Sequence, residues 1–245
     1  MKISHFAAAV TGALLFSTVG HSAQVTPEGL TGTITPANGP TALVDTFPKL
    51  NWTTNYPLKP PIPPTPLPTN FRVKVRVIGQ GVTGSNSPGT FFFAPTHATM
   101  SINASSFASV FYGINPEVNS AKIIELANML GSTYSDNIVQ KGSVMNFGGY
   151  WQMGGDSGTH YKSNDGTNHI RFLVKGDTPP SCVPEYNEPT LESFLRPYLD
   201  TTGKVDIGDM DVIVFMELTH TAAQQSQPGY DLQDMVLLVT FEPIK

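Results

Sequence analysis

The chain has 245 residues, 22 of them glycine and 21 proline, and only 13% are Asp, Glu, Lys or Arg. An ordinary globular chain carries about 25% charged residues, and the net charge here is −5, so the clustered basic surplus of a nucleic-acid binder is excluded. A hydrophobic fraction of 40%, with 10% aromatic, is enough for a core and excludes a wholly disordered chain.

The N-terminus reads as a cleaved secretory signal peptide over residues 1–23. Lys2 supplies the positive start, Phe6 to Val19 form a mostly apolar run, and Gly20, Ser22 and Ala23 are the small residues of a cleavage site between residues 20 and 24. The run is shorter than the roughly 20 residues of a membrane span, and no later segment is apolar enough to cross. Residues 24–70 form a charge-poor, Pro-rich arm whose part from Pro57 to Pro68 favours extended polyproline II, a stiff spacer or an arm laid on the main domain. The main domain is expected over 71–245. A single cysteine, Cys182, forbids an internal disulfide and suits a bacterial envelope or extracellular protein. It sits in a Pro-punctuated loop and reads as a buried, inert thiol.

Residues 71–79, FRVKVRVIG, alternate strictly: Phe71, Val73, Val75 and Val77 face one way, and Arg72, Lys74 and Arg76 the other. Period two with β-branched residues predicts a half-buried strand. After a Gly/Ser/Asn loop, further strands are expected within 90–95, 98–114, 141–153 and 168–176. The period changes in 119–132, where Ile123, Leu126, Ala127 and Leu130 share a helical face with Ser120 as cap and Gly131 as stop. A second short helix is expected at 188–200, with Pro189 in its first turn and Pro197 limiting it. The last pair, 210–220 and 234–242, is almost continuously apolar, which predicts strands covered on both faces. Many strands with one or two short helical insertions indicate a mostly β fold, an antiparallel, jelly-roll-like β-sandwich.

Three constellations suggest chemistry. Gly155-Asp156-Ser157-Gly158 matches the serine surroundings of chymotrypsin-like proteases, and His97 stands upstream as a base, which makes Ser157 a serine-hydrolase candidate. Thr159 replaces the usual next glycine, and a β-turn explains the tetrad equally. Tyr150, Trp151 and Tyr161 flank the Gly-rich turn and, if exposed, would stack on sugar rings as a carbohydrate-binding module. The histidines show no H-x-H or H-E-x-x-H spacing for zinc. The third constellation is acidic: Asp209 and Asp211 lie at the start of the first strand of the last pair, and Glu217, Asp231 and Asp234 lie around the loop that joins it to the second. Loop carboxylates are the hard oxygen donors that calcium takes.

The terminal stretch VIVFMELTH…GYDLQDMVLLVTFE resembles the end of bacterial secreted β-sandwich domains whose last hairpin carries a D-x-D-Y-N-D-type signature. Phe215, Glu217 and Leu218 match its first element, and Asp231 and Asp234 its outer acids. Leu232 replaces the aromatic, Gln233 the Asn, and Gly229 the preceding Asp. The resemblance implies a non-enzymatic protein of the bacterial exterior or periplasm, calcium-stabilised, with Glu217, Asp231 and Asp234 as ligands and Asp209 and Asp211 next. It implies a structural, adhesive or matrix role, with extracellular polysaccharide or surface proteins as partners.

Overall fold

A computed structural model describes residues 60–87, 90–182 and 189–244, all within one compact unit running from Leu58 to Lys245. The leader, its cleavage site and the first part of the Pro-rich arm lie outside the described residues. The packed chain begins before Phe71. Leu67 is buried in the core, its backbone bonds to Ser143 and Gly142, and Ile62 packs beside it, so the end of the Pro-rich arm belongs to the sandwich.

The first strand, β1 (Phe71–Gly79), follows the expected alternation, and Lys74 on its polar face pairs with Glu242. Two two-residue strands, β2 (Thr83–Gly84) and β3 (Phe92–Phe93), pair with each other. They lead into β4 (Thr96–Ile102) and β5 (Ala108–Gly113), whose connecting turn holds Asn103 and Ala104 at φ 56° and 58°. A helical turn α1 (Leu126–Leu130) and the short β6 (Ile138–Val139) precede β7 (Met145–Met153), β8 (Asp156–Ser157), β9 (Tyr161–Lys162) and β10 (Ile170–Leu173). Helix α2 (Leu191–Leu195) then leads to the closing hairpin, β11 (Asp211–Met216) and β12 (Met235–Pro243).

These strands form two antiparallel sheets. The first has the order β10-β11-β12-β1-β6, and the second β5-β4-β7-β8, with β9 also on β7. Their facing sides share one core: Val73, Val75, Val214, Met216, Leu237 and Val239 from the first, Ala98, Met100 and Phe147 from the second. The alternate residues of the closing hairpin point the other way. Ile213, Phe215, Val236 and Leu238 pack under Leu191 and Leu195 of α2 and under Val205 and Ile207. Both faces of β11 and β12 are therefore dry, as their continuous apolar runs require. Each such side chain contributes about 2 kcal/mol through its removal from water.

The helices are shorter than their sequence signals. Ile124 donates its N–H to Val75 O of β1, and the Asn137 side chain bridges Ile124 O and Leu126 N. Those bonds hold the chain extended through Glu125, so only Leu126–Leu130 coil and Ser120 caps nothing. Five residues of intrinsic helicity do not outweigh tertiary bonds to a neighbouring strand. Gly131 ends the turn at φ +105°. In α2 the cap is Thr190, which accepts the Ser193 N–H at 3.1 Å; Pro189 precedes the cap instead of entering the first turn. No helix among the described residues is long and apolar enough to cross a membrane.

Val236 is fully buried and sits on the central strand β12, beneath α2. Replacing Val236 with Asp is expected to destabilise the fold by roughly 5 kcal/mol, enough to consume the stability of most single domains. Urea unfolding checks this, and a variant with an unchanged midpoint would contradict the central placement.

Candidate functional site

The five acids singled out by the sequence divide between opposite ends of β11. Asp209 is exposed and pairs with Lys175 at 3.1 Å, and Asp211 accepts the Gly208 N–H at 3.0 Å in a turn. Glu217 lies just past the other end, and a strand of this length separates the two groups by about 20 Å. One ion cannot take ligands from both. Asp209 and Asp211 therefore leave the candidate site, because a sequence interval of six along an extended strand is a long way in space.

Glu217, Asp231 and Asp234 do come together, at the mouth of the closing hairpin, and are 0%, 3% and 3% exposed. Glu217 Oε1 accepts from Thr219 N, Thr219 Oγ1 and His220 N at 3.2, 2.8 and 2.9 Å. Its Oε2 accepts from Asp231 N and Leu232 N at 3.0 and 3.3 Å. A carboxylate offers about four lone-pair sites, so five donors saturate it. The convergence of two successive amides on Oε2 accompanies a left-handed Leu232, at φ 58°, a conformation that L side chains seldom adopt. Glu217 thus organises the loop from its interior. The structure corrects its expected role as a direct calcium ligand, since no lone pair is left for a metal.

Asp234 Oδ2 accepts the amides of Leu218 and Thr219. Burial, then the charges of Glu217 and Asp231, hold the Asp234 carboxyl well above the usual range, against the pull of the Leu218 amide. Asp231 accepts from Gln233 Nε2 at 2.8 Å, while the other atom of that amide, Oε1, is buried without a hydrogen-bond partner. Asp231 and Asp234 line a cavity of about 50 Å³ together with Gly81, Thr83, Thr219, His220 and Gly229. A single water occupies about 10–15 Å³ on this measure, so the space admits an ion with a water or two. Gly81 allows a close approach here: a Cβ would lie 2.9 Å from the backbone oxygen of Gln233.

Asp231 and Asp234 are the carboxylates at this cavity that could hold a hard cation, with Thr83 and Thr219 beside them; no cluster of three or more metal-ligating His, Cys, Asp or Glu side chains occurs among the described residues. Thr83, Thr219, Gly81 and Gln233 carry no sequence signal for this role. They are ordinary loop residues until the fold brings Gly81, 150 positions before Asp231, to the hairpin mouth.

The expected aromatic trio does not share a surface. Tyr161 is 8% exposed, belongs to the core and stacks on His169 at 3.6 Å and 9°. Tyr150 and Trp151 are consecutive on β7 and so point to opposite faces; Trp151 lies over Gly158, where a Cβ would meet its ring at 2.2 Å. Ser157 is exposed in β8, just past the Gly154 turn at φ +63°. His97 does not address it, because Nδ1 meets Ser109 Oγ at 2.8 Å and Nε2 meets Gln152 Oε1 at 3.0 Å. The GDSG tetrad is the end of the Gly154-Gly155 hairpin turn and the short strand β8 that pairs back on β7. Cys182 is half-buried, and its thiol is pushed up to about 11 by burial and by the charge of Asp231.

Comparison with family models, with curated proteins and with solved structures returns no match.

Two predictions follow from these environments. The folded Asp234 binds a proton that the unfolded chain, at its ordinary value of 3.8, has released, so stability falls as pH rises from 3.8 through the raised folded value. In chelator, the melting temperature is therefore expected to rise as pH is lowered from about 7 to 5, above the ordinary carboxylate range. Asp234→Asn mimics the protonated acid and is expected to flatten that slope and stabilise the chelated protein at neutral pH; superimposable pH profiles would refute the assignment. Cys182 in the folded chain should react with iodoacetamide at pH 8 about a hundredfold more slowly than in urea, since the thiolate is the nucleophile.

Proposed function

We propose that this chain is a secreted, non-enzymatic protein of the bacterial exterior or periplasm, with a structural, adhesive or matrix role, whose β-sandwich is locked by calcium at the mouth of its last hairpin. Asp231 and Asp234 are the carboxylate ligands, and Glu217 positions the loop that carries them. The observation that carries this reading is the burial of three adjacent carboxylates, two of which, Asp231 and Asp234, line one small cavity. Carboxylates so close together in so dry a place repel one another and lose their hydration. A proton relieves that repulsion at low pH, and a divalent cation relieves it at neutral pH, so binding of the ion expels the proton.

The position of the cavity suits a clamp better than a catalytic centre. Its walls come from the segment after β1 and from both ends of the long loop between β11 and β12. The Glu217 amide adds His169 O at 3.0 Å, next to β10. An ion here gains its effect by joining segments distant in sequence, and its binding energy becomes folding energy. Such a device suits a protein without disulfides that works outside the cell, together with the signal-peptide features of residues 1–23 and the terminal resemblance.

Thermal unfolding of the full chain in calcium and in chelator tests the reading. At 100 times the dissociation constant an ion bound only to the native state adds about 2.7 kcal/mol, or roughly 5–10 °C for a domain of this size. The midpoint is expected to rise by that amount in millimolar calcium at neutral pH, and Asp234→Asn is expected to abolish the response while leaving the fold intact. A midpoint indifferent to both calcium and chelator removes the metal from this account.

A further inference from the structure

We infer that the outer face of the β5–β4–β7 sheet is a binding platform for a neutral polysaccharide, centred on Tyr112, His97 and Tyr150. The inner face of this sheet is packed on the core, and alternation along such strands ordinarily leaves polar side chains outside. Here a row of outward positions is aromatic, beside the buried polar Thr99, Ser101 and Asn146. His97 stands opposite Tyr112 on one side and Tyr150 on the other, and the rings stack at 4.3 Å and 29° and at 4.4 Å and 13°. The row continues through His160, 5.2 Å from Tyr150, to Phe107, which meets His160 edge-on at 5.4 Å. Gly148 makes this possible, since a Cβ there would lie 2.9 Å from Thr99 Oγ1 and 3.2 Å from His160 Nε2.

The rings are held before any ligand arrives. Both nitrogens of His97 are hydrogen-bonded, to Ser109 and Gln152, and His160 Nε2 meets Thr99 Oγ1 at 2.9 Å. Rigid aromatic anchors bind with little loss of side-chain entropy. Tyr112 lies on the edge strand β5 and is 56% exposed, so the row ends in a ring accessible to solvent.

The chemistry of the face selects the occupant. Both faces of His97 are covered by Tyr112 and Tyr150. A pyranose would therefore lay its C–H groups on the face of the exposed Tyr112 that points away from His97, with its hydroxyls meeting neutral partners such as the Gln152 amide nitrogen and the tyrosine hydroxyls. The partners of His97 are uncharged, and burial followed by the nearby Lys162 lowers the His160 imidazole below its ordinary value. Lys162, whose Nζ lies 5.4 Å over the Phe107 ring, has Asp165 beside it as a counter-charge, so in a chain of net charge −5 a neutral, hydroxyl-rich ligand is favoured over a polyanion.

Affinity electrophoresis of the folded full chain tests this, in gels cast with laminarin, hydroxyethyl cellulose, galactomannan or alginate, each run with calcium and with chelator. Retardation is expected in at least one neutral gel and in both ionic conditions, which separates it from the cation reading. Tyr112→Ala, at an exposed position, is expected to fold with an unchanged melting temperature and to weaken binding about tenfold, while Tyr112→Phe retains most of it. Gln152→Ala offers a second variant on the same face. Free migration in every gel, retardation in alginate alone, or retardation unaffected by all of these substitutions overturns the proposal. So does a Tyr112-dependent dimer in light scattering without glycan binding, which would make the face an interface between copies.

Discussion

The closing hairpin has to be dry on both sides, and most of the architecture follows from that constraint. Val212, Val214 and Met216 face one way along β11 and Ile213 and Phe215 the other, while β12 divides its side chains in the same manner. A single second sheet covers only one of these faces. The other needs the layer built by α2 and the segment around Val205 and Ile207. The first sheet is thereby enclosed between layers, while the second sheet reaches solvent at Tyr112 on its edge strand. Such a fold has two places of chemical interest, the ends of the buried strands and the outer side of the second sheet.

At the strand ends the difficulty is electrostatic. The loop between β11 and β12 begins and ends with acids, and the layers that dry the hairpin also dry Glu217, Asp231 and Asp234. Their burial is tolerable because each is given a different means of compensation. Glu217 collects five donors from the loop it holds, so its charge is spread over amides and a hydroxyl. Asp231 takes the Gln233 amide. Asp234, with two amides and a carboxyl neighbour, is left to a proton or to a cation. Similar residues in one pocket therefore differ in role through the number of donors that reach them.

On the outer side of the second sheet the difficulty is different, since five rings stand where polar side chains are ordinarily found. Their mutual stacking and the hydrogen bonds at His97 and His160 keep them from collapsing or rotating. Tyr150 belongs to this row, while Trp151, its neighbour in sequence, lies on the other side of β7 over Gly158. The two sites sit on different sheets and draw on different chemistry, hard oxygens around a small cavity and a stacked aromatic row that ends in the exposed Tyr112.

Read alone, the chain already specified a mostly β, antiparallel fold, the position and inward face of β1, and the double burial of the last hairpin. Each is a local pattern of period two or of unbroken apolarity, and such patterns survive folding because side-chain direction alternates wherever a strand forms. The acids around that hairpin's loop were legible for a related reason, since a hairpin returns its ends to one place. What tertiary structure alone decided was number and neighbourhood. Ile124 is captured by Val75, so a helical signal from Ile123 to Leu130 yields five helical residues. Tyr161 falls inside the sandwich, and Tyr112, 38 positions before Tyr150, joins it through His97. Glu217 is separated from metal ligation by donors that include Asp231 and Leu232, more than a dozen residues away. Pairing between distant strands has no signature in either segment by itself, because it depends on a register that only the assembled core selects.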